Sequence, residues 1–189
     1  MVNVLLAFKI IIRHLSGRSF EKSRRDIHRN YVLSVCLGLD FSPFERAFRY
    51  SQHFGFVKKR GNRDWHIKSV EKMCNRLCDL DDDPYIGVRE LNHPISLAFG
   101  IIIHHFNGQI VPTTEIETRV ETEIENYQGE LSQYENENVV PHTLRFLNHF
   151  GFAKELEDGD WRIKSVDDMC ARLRGLADNR NIGDEGEDF

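Results

Sequence analysis

Arg46, Arg49, Gln52 and His53 recur at spacings of three and four, so a helix would carry them on adjoining faces. Lys58, Lys59, Arg60, Asn62 and Arg63 follow, and Lys22, Arg24, Arg25 and Arg29 precede them. Guanidinium groups bind planar anions bidentately, and lysine ammoniums meet them as point charges, so this set suits a polyanionic partner. Catalysis finds little support. His53, His104, His105, His149 and the scattered acids form no HExxH, phosphate loop, nucleophile elbow or dinucleotide fingerprint. His53 and His149 suit packing or complementing a helix C-terminus. Cys74 and Cys78 stand four apart without a second ligand pair, so neither a metal nor another cofactor is expected. The four cysteines, Cys36, Cys74, Cys78 and Cys170, show no paired CxxC spacing and read as reduced core thiols.

The elements that position these residues occur twice. HFGFVKKRGNRDWHIKSVEKMCNRL (53–77) and HFGFAKELEDGDWRIKSVDDMCARL (149–173) align without a gap at a spacing of 96 and agree at 15 of 25 positions. Upstream, LAFKIIIRHLSG (6–17) matches LAFGIIIHHFNG (97–108) at a spacing of 91. Val4, Phe8, Ile11 and Leu15, like Ile95, Phe99, Ile102 and Phe106, predict an amphipathic first helix ending near a glycine. A short extended piece follows, then a second helix over about 22–37, and about 115–134 in the second copy, there opened by a capping box at Thr114 and Glu117. Ser42, Pro43 and Glu45 predict the start of a third helix, with Ser42 as its N-cap. Its inner stripe is Phe44, Ala47, Phe48, Ser51 and Phe54, matched by Val140, Thr143, Leu144, Leu147 and Phe150. Gly55 and Gly151 suit left-handed C-caps; a hairpin holding Phe56 and Trp65, or Phe152 and Trp161, follows; a closing helix starts at Ser69 or Ser165. At 189 residues the chain can bury one or two modest cores, and duplication favours two.

The order helix, short strand, helix, turn, helix, hairpin, helix resembles that of the winged helix-turn-helix superfamily. The reading is mainly α with small β-hairpins (α+β): tandem winged-helix domains over 1–80 and 95–176, a linker over 81–94 and a flexible acidic tail over 177–189. The resemblance covers nearly all of both copies, but rests on element order without a subfamily signature. It implies a non-enzymatic DNA-binding protein, a transcription regulator or DNA-maintenance factor, whose third helix enters the major groove while the wing touches the backbone. Carried onto the first copy, the DNA-contacting set is Lys22, Arg24, Arg25, Arg29, Arg46, Arg49, Gln52, Lys58, Lys59, Arg60 and Arg63. There arginine suits guanine edges or phosphates, Gln52 suits adenine, and the wing lysines position more than they specify. Tandem copies also resemble the interaction modules of chromosome-organising complexes, which leaves a protein-interaction scaffold open.

A charge asymmetry separates the copies. Residues 1–80 hold 16 Lys+Arg and 7 Asp+Glu, a net of +9, whereas residues 81–189 hold 9 and 23, a net of −14. KKRGNR in the first hairpin becomes KELEDG in the second, and the second copy's second helix is rich in glutamate: Glu115, Glu117, Glu121, Glu123, Glu125 and Glu130. Its third helix keeps only Arg145, with His142 and Asn148. Phosphates would be repelled there, so copy two is expected to mediate dimerisation or partner binding, or to dock on a basic copy within or between chains. The tail GDEGEDF resembles the acidic, phenylalanine-ended tails of bacterial and phage single-stranded-DNA-binding proteins. No run approaches a membrane helix, and an intracellular location, cytoplasmic, nucleoid or nuclear, follows by default.

Overall fold

A computed structural model describes residues 3–21, 41–60, 64–127 and 139–178, without the side chains of residues 3, 20, 21, 41–44, 59, 60 and 64. The predicted second helix at 22–37, the wing tip and the end of the tail lie outside the described residues. What is described is mainly helical, with two small antiparallel sheets.

The first copy runs α1 (Asn3–Ile10), a π-helical turn (Ile11–Leu15), β1 (Ser19–Glu21), α2 (Phe41–His53), β2 (Val57–Arg60), β3 (Asp64–Ile67) and α3 (Val70–Asp82). The second runs α5 (Pro94–Phe106), β4 (Ile110–Pro112), α6 (Thr113–Asn126), α7 (Val139–Phe150), β5 (Ala153–Glu155), β6 (Asp160–Ile163) and α8 (Val166–Asp178), with α4 (Val88–Leu91) between the copies. Each sheet places its third strand centrally, in the orders β1-β3-β2 and β4-β6-β5. The registers correspond as well: Phe20 lies opposite Trp65, and Val111 opposite Trp161.

Local signals account for most of these elements. Ala47, Phe48, Ser51 and Phe54 are buried on α2, as are Val140, Thr143, Leu144, Leu147 and Phe150 on α7. Gly55 and Gly151 hold φ of +76° and +74°, a left-handed conformation that lets the chain leave each helix and enter its hairpin. Ser69 Oγ accepts from Lys72 N at 3.4 Å; Ser165 Oγ accepts from Asp168 N at 3.1 Å and donates to the Asp168 carboxylate at 2.7 Å.

Two predicted helix starts shift. Ser42 and Pro43 already lie within α2, so Ser42 does not stand at its N-cap position. In copy two the capping box is not used. Pro112, with φ of −59°, holds the N-cap position of α6 with no side-chain cap bond. Thr113 Oγ1 donates instead to the Gly159 carbonyl of the hairpin, at 2.8 Å. The helix also stops at Asn126, short of 134: Tyr127 is extended, and the Asn126 amide donates back to the Thr122 carbonyl.

The two copies share one core. Their buried residues join in a single cluster, where duplication alone favours two. The first helices explain this. From Pro94 to Ile103 every residue of α5 is buried, so the helix needs cover on all sides. It packs on α7 of its own copy and on α3 of the other; correspondingly, α1 packs on α2 and also on α7, while α8 packs on the π-helical turn. Phe8 stacks on Phe150 (centroids 3.8 Å, planes 9° apart), and its counterpart Phe99 stacks on Phe54 (4.0 Å, 12°). Equivalent residues also meet themselves: Phe54 with Phe150 at 5.5 Å, Phe56 with Phe152 at 6.4 Å, and Cys74 Sγ with the Cys170 carbonyl at 3.9 Å. Contacts between equivalent positions are the mark of a twofold axis, so the chain folds as an internal pseudo-dimer.

The predicted linker is packed. α3 runs to Asp82, Pro84 and Val88 are buried, and Tyr85 OH donates to Glu123 Oε2 at 2.9 Å. Where the first copy has Lys9, the second has Gly100, and a Cβ there would run into the Pro84 carbonyl oxygen. Asn107 ties three elements together, donating to Asp81 Oδ1 and accepting from Val166 N, both at 2.8 Å.

Candidate nucleic-acid interface

α2 is amphipathic about a buried stripe, which forces its charged positions outward. Glu45, Arg46 and Arg49 are exposed; Gln52 and His53 are half-buried. Gln52 lines a cleft of about 290 Å³ together with His53, Val57, Lys58, Lys68, Arg76 and Glu90. Lys58 is exposed, and its ammonium pairs with Glu90 Oε2 at 3.3 Å, so α4 returns a carboxylate to the base of the hairpin. Both side chains are well hydrated, which keeps this pair weak. Lys59 and Arg60 occupy β2, paired with Trp65 and Asp64, though their side chains lie outside the described residues. Lys22, Arg24, Arg25, Arg29 and Arg63 also lie outside them.

Inside the cleft the cations are partly desolvated. Burial, then Arg76 and Lys58, lowers the Lys68 ammonium, and Lys164 is lowered in the same way by burial and Arg172. The Arg76 guanidinium is buried between Gly55 and Gly87, and its Nη2 has no hydrogen-bond partner among the described residues. Asp79, Glu90 and Asp83 act on it, so the neighbourhood is mixed in sign.

His53 sits in a different role from an outward-facing reader. Its ring lies 3.9 Å from that of His93, and burial, then His93, then Arg49 lowers its pKa from 6.5 to about 3. His93 caps α5: its Nδ1 accepts from Ile95 N at 3.2 Å, with Pro94 in the first turn.

α2 and α7 meet through aromatic side chains near their C-terminal ends. Tyr50 and Phe146, equivalent at the 96-residue spacing, stack with planes 12° apart, and both are buried although neither belongs to the inner stripe. Burial, then Arg145, then Arg46 lowers the His149 imidazole, so charges from both helices are felt at one ring.

The acids of copy two are placed elsewhere. Glu117, Glu121 and Glu125 line a cleft of about 250 Å³ against Val139, Val140 and Pro141. Glu123 is engaged by His105 at 2.6 Å, Arg119 at 3.8 Å and Tyr85. Glu155, Glu157 and Asp158 are exposed on the hairpin.

Among the described residues, no group of His, Cys, Asp and Glu could hold a metal ion, and no helix is long and apolar enough to cross a membrane. Cys74 and Cys170 are buried, and burial with the Cys74 contact pushes the Cys170 thiol up to about 12, but Cys78 is exposed, unlike the expected core thiol. Sequence reasoning missed the apposition of Tyr50 and Phe146, the His53–His93 contact and the Glu90 partner of Lys58. One signal was available: an aromatic residue and an arginine recur at equivalent places, Tyr50/Phe146 and Arg49/Arg145. No protein-family model, curated protein or solved structure matches the chain.

Proposed function

We propose that the chain is a non-enzymatic tandem winged-helix protein that binds duplex DNA, as a transcription regulator or DNA-maintenance factor inside the cell. The first copy makes the contact, and the second serves as its built-in partner. The observation that carries this reading is α2. Its apolar face is buried while Arg46 and Arg49 project outward one turn apart, and the basic strand Val57–Arg60 follows directly. The strand orders β1-β3-β2 and β4-β6-β5, each preceded by a helix, support the winged-helix assignment. A small domain that would otherwise expose the aromatic patch around Tyr50 gains its cover from Phe146, which gives copy two a reason to persist after its hairpin turned acidic.

A second reading, an interaction scaffold without direct DNA readout, is favoured by one observation. The face of α2 that bears Tyr50 is already spent on α7. Fluorescence anisotropy with a mixed-sequence duplex over a salt series separates the two. The DNA reading expects log K to fall with log salt at a slope of roughly −4 to −7, and R46A/R49A to weaken binding at least tenfold. If the wild type shows no salt-sensitive binding, the scaffold reading stands.

A further inference from the structure

We infer that the DNA-contacting surface is composite: it crosses the pseudo-twofold axis, and Arg145 of the acidic copy binds backbone phosphate beside Arg46 and Arg49. This rests on the DNA reading above and changes its map, because charge counting alone removes the whole second copy from DNA.

Three observations converge on that surface. Tyr50 and Phe146 lie face to face, so α2 and α7 meet across the axis at these two positions. Arg49 directly precedes Tyr50 and Arg145 directly precedes Phe146, so the stacked pair brings an arginine-bearing turn from each copy to the axis, and Arg145 and Arg46 both lower the His149 imidazole after burial. Arg46, Arg49 and Arg145 are all exposed, and His142 and His149 of α7 are half-buried. Arg49 and Arg145 are also equivalent, so this is a position on the third helix where a cation survives in both copies while the hairpins diverge in sign. Glu45 is the acid on the exposed side of α2, and its counterpart in α7 is Pro141.

Physical placement explains how an acidic copy can still contribute. Its glutamates gather on α6 and on the hairpin, while Arg145 lies one turn beyond Pro141 and next to Phe146, which meets Tyr50 at the axis. Screening over roughly 8–10 Å at physiological salt attenuates repulsion from charges that do not border the phosphate. A guanidinium there then donates to phosphate oxygens without needing a base edge, which fits a positioning contact.

The test compares wild type, R145A, R46A/R49A and R162A on the same duplex. Arg162 is an exposed arginine of β6 in copy two and controls for removing one charge from that copy. The inference expects R145A to weaken binding about 5- to 30-fold and to reduce the salt slope by about 1, with R162A within about twofold of wild type. Wild-type-like binding by R145A, alongside loss in R46A/R49A, overturns the composite surface and leaves the DNA reading standing. Equal losses in R145A and R162A also overturn it, because the effect is then one of net charge. Absence of salt-sensitive binding by the wild type defeats the underlying reading first. Should R145A unfold at a lower temperature than wild type, R145K decides: affinity within about threefold of wild type supports a charge contact, and a loss as large as that of R145A overturns it.

Discussion

Tyr50 and Phe146 stand 96 positions apart, occupy equivalent places in the two copies, and stack with their ring planes 12° apart. A residue touching its own counterpart fixes the axis about which the chain folds back on itself. Everything that binds on α2 is thereby presented next to α7.

Crosswise stacking makes the two copies one cooperative unit. Phe8 covers Phe150, and Phe99 covers Phe54, so neither copy completes its core alone. Chemical denaturation followed by fluorescence and circular dichroism is expected to give one coincident transition, whereas independent cores would give two. F54A and F99A should each cost about 3–5 kcal/mol, with a coupling of about 1 kcal/mol in the double mutant. Additive losses would contradict direct stacking.

Gly100 tests the packing of the linker. In an exposed helix interior, replacing glycine with alanine gains about 1 kcal/mol. Here the added methyl meets the Pro84 carbonyl and the Leu80 side chain, so G100A should lose stability, by about 1–3 kcal/mol, and lower Tm by several degrees. A stabilised G100A would show that Pro84 does not lie against α5.

Acid should loosen the junction between the copies. His53 titrates near 3 in the folded chain and near 6.5 when unfolded, so its neutral form is favoured by folding. The stability tied to it is fully present above about pH 6.5 and is lost as pH falls from there toward 3. His93 and His149 are lowered too, and protonating His93 converts the Nδ1 acceptor that caps α5 into a donor. Facing these rings are Arg49 on α2, Arg145 on α7 and Arg46 across the axis, all of which oppose protonation. Going from pH 7.5 to 5 should cost about 1–2 kcal/mol through His53, and H53Q should flatten that dependence in urea unfolding. An unchanged slope in H53Q would remove His53 from the effect.

Thiol accessibility should separate the cysteines. Cys78 is exposed and is expected to react with a small alkylating reagent in the native state. Cys74 and Cys170 are buried against each other's helices, and the Cys170 thiol is pushed up to about 12, so both should be labelled only on unfolding. Mass spectrometry of natively labelled protein checks this directly, and rapid native labelling of Cys170 would contradict the α3–α8 contact.

Much of the local architecture could be read from residues in order. The stripe Ala47, Phe48, Ser51 and Phe54 repeats at helical spacing, Gly55 and Gly151 mark left-handed exits, and Trp65 and Trp161 sit at matching places in the hairpins. Each depends on neighbours a few positions away, so periodicity and cap chemistry suffice. The exposed state of Arg46 and Arg49 follows from the same periodicity, as the remainder of an amphipathic helix.

Tertiary structure alone decided which apolar face meets which. α5 is buried from Pro94 to Ile103, and a helix apolar all round names no partner; the spacing of Tyr50 and Phe146 shows only that both copies carry an aromatic residue there. Contacts across the axis join residues 45 to 142 positions apart: Phe54 with Phe99, Tyr50 with Phe146 and Phe8 with Phe150. Their choice depends on burying the most surface for the whole chain at once. The same holds for Glu90 on Lys58 and for Arg145 and Arg46 both bearing on His149. Sequence fixes the sign of each charge, but the field a ligand meets depends on distance, and distance is settled only when the two copies close on each other.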